Sequence, residues 1–408
     1  MKLLSALIIA SLLLSSCQKN QEKATENSTL QNVESPAGSN ASLPYLIKGG
    51  DDLLYMSWVE KRDSGWIDLK YSVQKEDIWQ TPEVIASGND WFVNWADYPM
   101  MAVDKHGNMI THFLAKSSSG TYSYDVNVVY KPVGGEWSEP IIPHDDGTPT
   151  EHGFVTMLPK NDGTFLLSWL DGRNTGGGDH DSGGHGGGGA MTIRTATLDM
   201  MGNLTQEAEL DSRVCDCCQT GGAMTPGGPV IVYRDRSEEE MRDMSFVSMV
   251  ENNWTEPKVV NSDGWKIEGC PVNGPRIAAY ENTTATAWFT AAEGIAKVKV
   301  AFMDASGESF QEPIIVDDSV SVGRVDIVMI DNQSAYVSWL DLEGETPLIK
   351  FRKVSSDGSL GKPVVVSETS ASRGSGFPQM EVIDGTLFFA WTDMDEQSTS
   401  VKCGIFKL

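Results

Sequence analysis

Seven short apolar runs, each ending in an aromatic residue, recur along the chain and constrain its fold more than any other feature. They are LLYMSW to Trp58, MITHF to Phe113, FLLSW to Trp169, VIVY to Tyr233, TATAW to Trp288, AYVSW to Trp339 and LFFAW to Trp391, spaced by 55, 56, 64, 55, 51 and 52 residues. An acidic residue stands two positions after five of them: Glu60, Asp171, Asp235, Asp341 and Asp393. A second strand-like segment follows each run (IDLKYSV, VNVVYKP, MTIRTATL), and then most units have a turn and a third apolar run containing proline (IWQTPEVI, EWSEPIIP, NWTEPKVV, SFQEPIIV, SLGKPVVV). Another candidate strand precedes each run, so the repeating unit is four antiparallel strands, A to D. A lone small sheet of this kind cannot bury its faces, whereas a ring of them can, which predicts an all-β chain folded as a β-propeller. Seven blades is the better count; an irregular first unit would leave six. The last unit ends at VKCGIFKL without a D strand, and the segment around TLQNV (29–33) is expected to supply it and close the ring.

Residues 1–16 carry an early lysine and an apolar run from Leu3 to Leu14, the pattern of a secretory signal and too short to span a membrane. Residues 17–42 are polar and read as a tether, leaving 43–408 as the propeller domain. The formal net charge of −26 argues against nucleic acid and against an anionic membrane surface as partners. Leu14-Ser15-Ser16-Cys17 resembles the bacterial lipoprotein processing site. That resemblance implies a lipid anchor on Cys17, a membrane held through it, and a place at the outer membrane or surface of a bacterial cell envelope. The chain is expected to act as a monomer.

In an up-and-down blade, strand A starts on the face where strand B ends. Counting eighteen residues back from the blade aromatics reaches Cys270, Cys215, Glu151 (beside His152), Arg373 and Trp95. The same rim is expected to receive the B–C loops, WLDGRNTGGGDHDSGGHGGGGAM and YRDRSEEEMRD, so one face collects the unusual side chains. Cys215, Cys217, Cys218 and Cys270, with His180 and His185 of the glycine-rich loop, have the donor types of a copper or zinc site. The four thiols equally permit disulfides, a staple between blades included. Arg173 and Arg234 carry guanidinium groups suited to a carboxylate or sulfate, though salt bridges with Glu238, Glu239 and Glu240 would also use them. The W-x-D acids suit a blade-building role.

CDCCQT, YRDRSEEEMRD, DGWKIEGCPVNGP, AWFTAA and GRVDIV together resemble a group of exported bacterial sialidase-like propeller proteins. Against true sialidases, the aspartate-box turns are degenerate (MDASGESF, SSDGSLGKP), and GPRIAAY lacks the proline of the Arg-Ile-Pro motif. The leading expectation is therefore a lipid-anchored binding protein whose rim takes a glycan or protein ligand, with Asp171, Arg173, Arg234, Asn273 and Arg324 as ligand-binding candidates. The alternative is an exo-acting glycoside hydrolase on acidic glycans, with Arg173, Arg234 and Arg324 holding the carboxylate. Its catalytic candidates are Asp235, Asp326 and Tyr233, beside Asp171 and Glu268 as further carboxylates. A third reading is a copper- or zinc-handling envelope protein using the Cys/His rim.

Overall fold

The computed structural model describes residues 29–176, 189–395 and 398–408. They form seven antiparallel sheets in a ring, with no α-helix among the described residues and hence no helix able to cross a membrane. Strand A of each blade lines the centre: Ala41–Lys48, Met101–Val103, His152–Pro159, Gly221–Thr225, Arg276–Tyr280, Ser321–Met329 and Gln379–Ile383. The seven repeat aromatics all sit in strand B and are 0–7 % exposed, because strand B is covered on both sides by neighbouring blades. Prolines 82, 140, 257, 313 and 363 each stand immediately before the D segment, where a missing N–H costs no ladder bond.

Blade 7 closes as expected. Gln31–Val33 pairs antiparallel with the last strand, Thr399–Lys407, through Gln31↔Ile405, Asn32↔Gly404 and Val33↔Cys403. Leu30 and Val33 pack into the cores on either side of that blade. Blade 2 is the irregular one: its D segment is reduced to a single bridge, Val128↔Ile141.

Strand C supplies a cation opposite the tryptophan in five blades: Trp58↔Lys70, Trp169↔Arg194, Trp288↔Lys299, Trp339↔Lys350 and Trp391↔Lys402. Acids bind this pairing to different extents: Asp171 accepts the Trp169 indole at 2.9 Å while Arg194 turns to Glu209, and Asp341 accepts the Lys350 ammonium at 2.7 Å. Glu60 accepts the Trp58 indole N–H at 2.7 Å and the Lys70 ammonium at 2.6 Å. In blade 5, where Thr290 replaces the acid, Asp263 accepts Trp288 at 2.7 Å and Lys299 at 2.5 Å. Blades 2 and 4 have Phe113↔Asn127 and Tyr233↔Ser245 instead.

The A strands of blades 1, 3 and 6 carry a bulge with a non-glycine residue at positive φ: Leu43 (54°), Phe154 (52°) and Arg324 (53°). At each bulge the freed N–H points out of the ladder. A side chain of the preceding blade accepts it: Thr392 for Leu43 (3.0 Å), Asp97 for Phe154 (2.7 Å) and Asn273 for Arg324 (2.7 Å). These bonds latch blade to blade near one mouth of the channel.

Candidate functional site

The D-to-A crossovers all lie on one face, and there they surround a pocket of about 320 Å³ at the channel mouth. Its lining includes Trp95, Glu151, Cys217, Cys270 and Arg373, with Asn94, Tyr122, Tyr124, Asp216 and Glu268. Counting back from the blade aromatics thus finds the right face. It misplaces the cysteines locally: the innermost strand of blade 4 begins at Gly221, so Cys215–Cys218 lie in the crossover before it, after the D strand Leu204–Val214. Cys270 lies in the next crossover, before Arg276.

Trp95 forms one wall, stacked on Phe377 at 5.7 Å with the Arg324 guanidinium 5.0 Å from its ring. Arg373 is exposed on that wall, 6.0 Å from the same ring, with no carboxylate partner among the described residues. Opposite chemistry comes from two carboxyls, Asp97 buried and Glu151 half-buried, bridged by a phenol. The Tyr124 hydroxyl lies 2.5 Å from Glu151 and 3.3 Å from Asp97. Burial pushes Glu151 up to about 8 and Asp97 up to about 7, the partial opposing effect coming from the hydrogen bonds they accept. Asp216 is also raised by burial, against the pull of Arg236, whose Nη1 is 2.7 Å away.

The arginines expected to clamp an anion are otherwise engaged. Arg234 donates to the carbonyls of Asn273, Arg242 and Phe289 at 2.6–3.1 Å. Arg324 donates to Ser375 Oγ and to the carbonyls of Ala371, Ser372 and Gly376. Arg173 forms a fork with Asp171 at 2.7 and 2.9 Å. Asn273 is the blade 6 latch, and its Nδ2 donates to Pro271 O and Val322 O. Their donors bind the fold, not a free anion.

The carboxylates expected to act together are dispersed. Asp326 lies inside the ring, lining a separate central cavity of about 600 Å³, where Arg276 Nε donates to it at 3.1 Å. The Tyr233 hydroxyl donates to Asp211 at 2.7 Å, and neither Tyr233 nor Asp235 lines the mouth pocket. Asp235 is raised to about 6 by burial. His180, His185 and Cys17 lie outside the described residues.

The structure also gathers four residues that carry no repeat marker around the repeat acid Asp171. Asp125, His144, Asp146, His152 and Asp171 meet between blades 2 and 3, with the two imidazoles stacked at 3.7 Å and 5°. His144 Nδ1 is 3.1 Å and His152 Nε2 3.2 Å from Asp146 Oδ1, while His152 Nδ1 is 3.6 Å from Asp125. Parallel stacked rings cannot aim two in-plane lone pairs at one point, so this cage does not fit one ion bound by both histidines. Burial and the neighbouring His152 push His144 down to about 4. His152, beside Glu151, and Asp171, a W-x-D acid, stood out beforehand; Asp125, His144 and Asp146 did not, and the last two come from a segment without periodicity.

The described fold and site define a seven-bladed β-propeller with a ligand-sized pocket at one mouth of its channel. No protein-family model and no curated protein matches the sequence. Solved structures share the fold at low identity. An ulvan lyase of polysaccharide lyase family 25, bound to GlcA(1-4)Rha3S, is 12 % identical with a TM-score of 0.56, over 91 % of this chain and 95 % of that one. A protein of unknown function from Dyadobacter fermentans DSM 18053 is 12 % identical with a TM-score of 0.52, over the same two shares. The endosialidase of phage phi92 is 10 % identical with a TM-score of 0.51, over 93 % of this chain and 69 % of that one.

Proposed function

We propose that the protein is a glycan-binding propeller that takes an acidic sugar in the pocket between Trp95 and Arg373. The observation that carries this reading is Arg373: where Arg234 and Arg324 spend their donors on backbone carbonyls, it presents an exposed guanidinium to the pocket, beside an aromatic wall. An indole face suits a sugar ring, and a guanidinium suits its carboxylate or sulfate. Glu151, held protonated by burial near neutral pH, would donate to a hydroxyl. The pocket's 320 Å³ is at the lower end of ligand sites, which run from about 300 to 1,000 Å³. The ulvan lyase with its GlcA-containing fragment and the phage endosialidase lend the same chemistry to this fold. The lipoprotein-like site at Cys17 supports a position anchored at a bacterial envelope.

Calorimetric titration with oligouronides and sialosides tests the reading. Arg373→Ala is expected to weaken binding about tenfold or more, through loss of a charge-assisted contact, while leaving carboxyl-reduced sugars unaffected. Trp95→Ala should weaken both. Equal binding of acidic and carboxyl-reduced sugars would overturn the choice of ligand class.

A hydrolytic reading has one observation in its favour, the Tyr124–Glu151 pair in the pocket, since a phenol beside a carboxylate is one form of glycosidase nucleophile. Turnover of a fluorogenic sialoside that disappeared in Tyr124→Phe would select it.

A further inference from the structure

Cys215, Cys217 and Cys218 place three sulfurs within 4.8 Å of one another. Cys215 Sγ is 3.5 Å from Cys218 Sγ and 3.9 Å from Cys217 Sγ. A disulfide requires about 2.05 Å, and all five described cysteines are free thiols. Metal–thiolate bonds of about 2.3 Å in a tetrahedron separate the sulfurs by about 3.8 Å. The two distances fall on either side of that edge length.

We propose that Cys215, Cys217 and Cys218 bind one thiophilic ion, copper(I) or zinc(II), with Cys270 of the next crossover as the fourth thiolate. Soft sulfur donors select these ions over hard cations such as magnesium or calcium. The inference is independent of the glycan reading.

A buried guanidinium faces the sulfurs. Arg242 is fully buried and donates from Nη1 to Cys215 Sγ at 3.1 Å, while its Nη2 donates to Glu240 at 2.6 Å. A cation in contact with a sulfur offsets part of the charge that three or four thiolates bring to an ion. The backbone is fixed as well. Cys215 N donates to Arg234 O at 3.0 Å. The Gln219 side chain donates to Ala96 O at 2.6 Å and accepts Gly274 N–H at 2.9 Å, which ties this crossover to the one that carries Cys270. At Gly274 a Cβ would sit 2.0 Å from Gln219 O, so only glycine permits that approach. Cys217 and Cys270 both line the mouth pocket, which puts the ion in its wall and within reach of solutes entering it.

Elemental analysis of the full chain, purified under reducing conditions and loaded with zinc(II) or, anaerobically, copper(I), tests the proposal. One equivalent should survive desalting, and cobalt(II) should give the intense sulfur-to-cobalt charge-transfer band of a thiolate site. The double variant Cys215→Ser/Cys218→Ser should lose both signals, whereas His144→Gln/His152→Gln should keep them. Arg242→Met should lower affinity about 10- to 100-fold, as removal of a ligand's supporting partner does. Should the double serine variant fail to fold, half-buried Cys217→Ser gives the same comparison, and bound ion should slow alkylation of the wild-type thiols. Absence of bound metal, with Cys215 and Cys218 recovered as a disulfide by peptide mass spectrometry, would overturn the proposal in favour of a redox pair. Metal lost in the histidine variant and retained in the cysteine variant would move the site to the other cluster.

Discussion

His144 makes the fold sensitive to acid, although its side chain is almost wholly buried. In the folded chain it protonates only near 4, against 6.5 for the ordinary imidazole. The unfolded chain therefore takes up the proton first as acid is added. Stability attributable to this group is complete above pH 6.5 and lost as pH falls toward 4, by roughly 3 kcal/mol at most. Thermal melts across that window should show a smaller acid-induced decline in His144→Gln than in the parent; parallel curves would sink the assignment. Residue types alone could not have revealed this cage. Arginine and carboxylate patterns likewise misled, because a guanidinium reads as an anion site whether its donors face solvent or backbone carbonyls. Arg234 and Arg324 face carbonyls, and Arg373, found by position rather than by motif, faces the pocket.

Five blades set a tryptophan on strand B opposite a cation on strand C, and in blades 1 and 5 an acid joins the two. The aromatic part of this unit was legible in the sequence because strand B is buried on both sides and reads as an unbroken apolar run. The cation was equally visible in LKYS, TIRT, KVKV, LIKF and SVKC but has meaning only once strand register is known. Blades 2 and 4 lack it; the histidine cage lies beside the first and the crossover with three cysteines leads into the second. The crossovers defeated placement to the residue, since they follow no periodicity. The closing strand is the element whose contribution is easiest to isolate. Deleting residues 29–36 removes three cross-strand pairs and the Leu30 and Val33 contacts. It should lower Tm by about 5 °C and leave Thr399–Lys407 as a bare edge prone to pairing between chains. Differential scanning calorimetry with gel filtration measures both; an unchanged Tm and a monomer would show that the ring holds without its clasp.

At the scale of the whole molecule, the net charge of −26 opposes any acidic ligand at a distance, while Arg373 attracts one at contact. Added salt should therefore raise the association rate of an acidic oligosaccharide, by about twofold or more between low and physiological ionic strength. Stopped-flow traces at two salt concentrations test this, and a rate that fell with salt would point to a cationic approach path instead. Ring closure also sets the order in which the fold can form. The strand Gln31–Val33 and its partner, residues 403–405, lie at opposite ends of the propeller sequence. Each blade between them can assemble from local hairpins, whereas this pairing gains nothing until the intervening blades have curved into a ring and brought its two strands together. Closure of the circle is thus a late, highly non-local event, and a chain cut before residue 403 would carry both an unmatched first strand and an open seam.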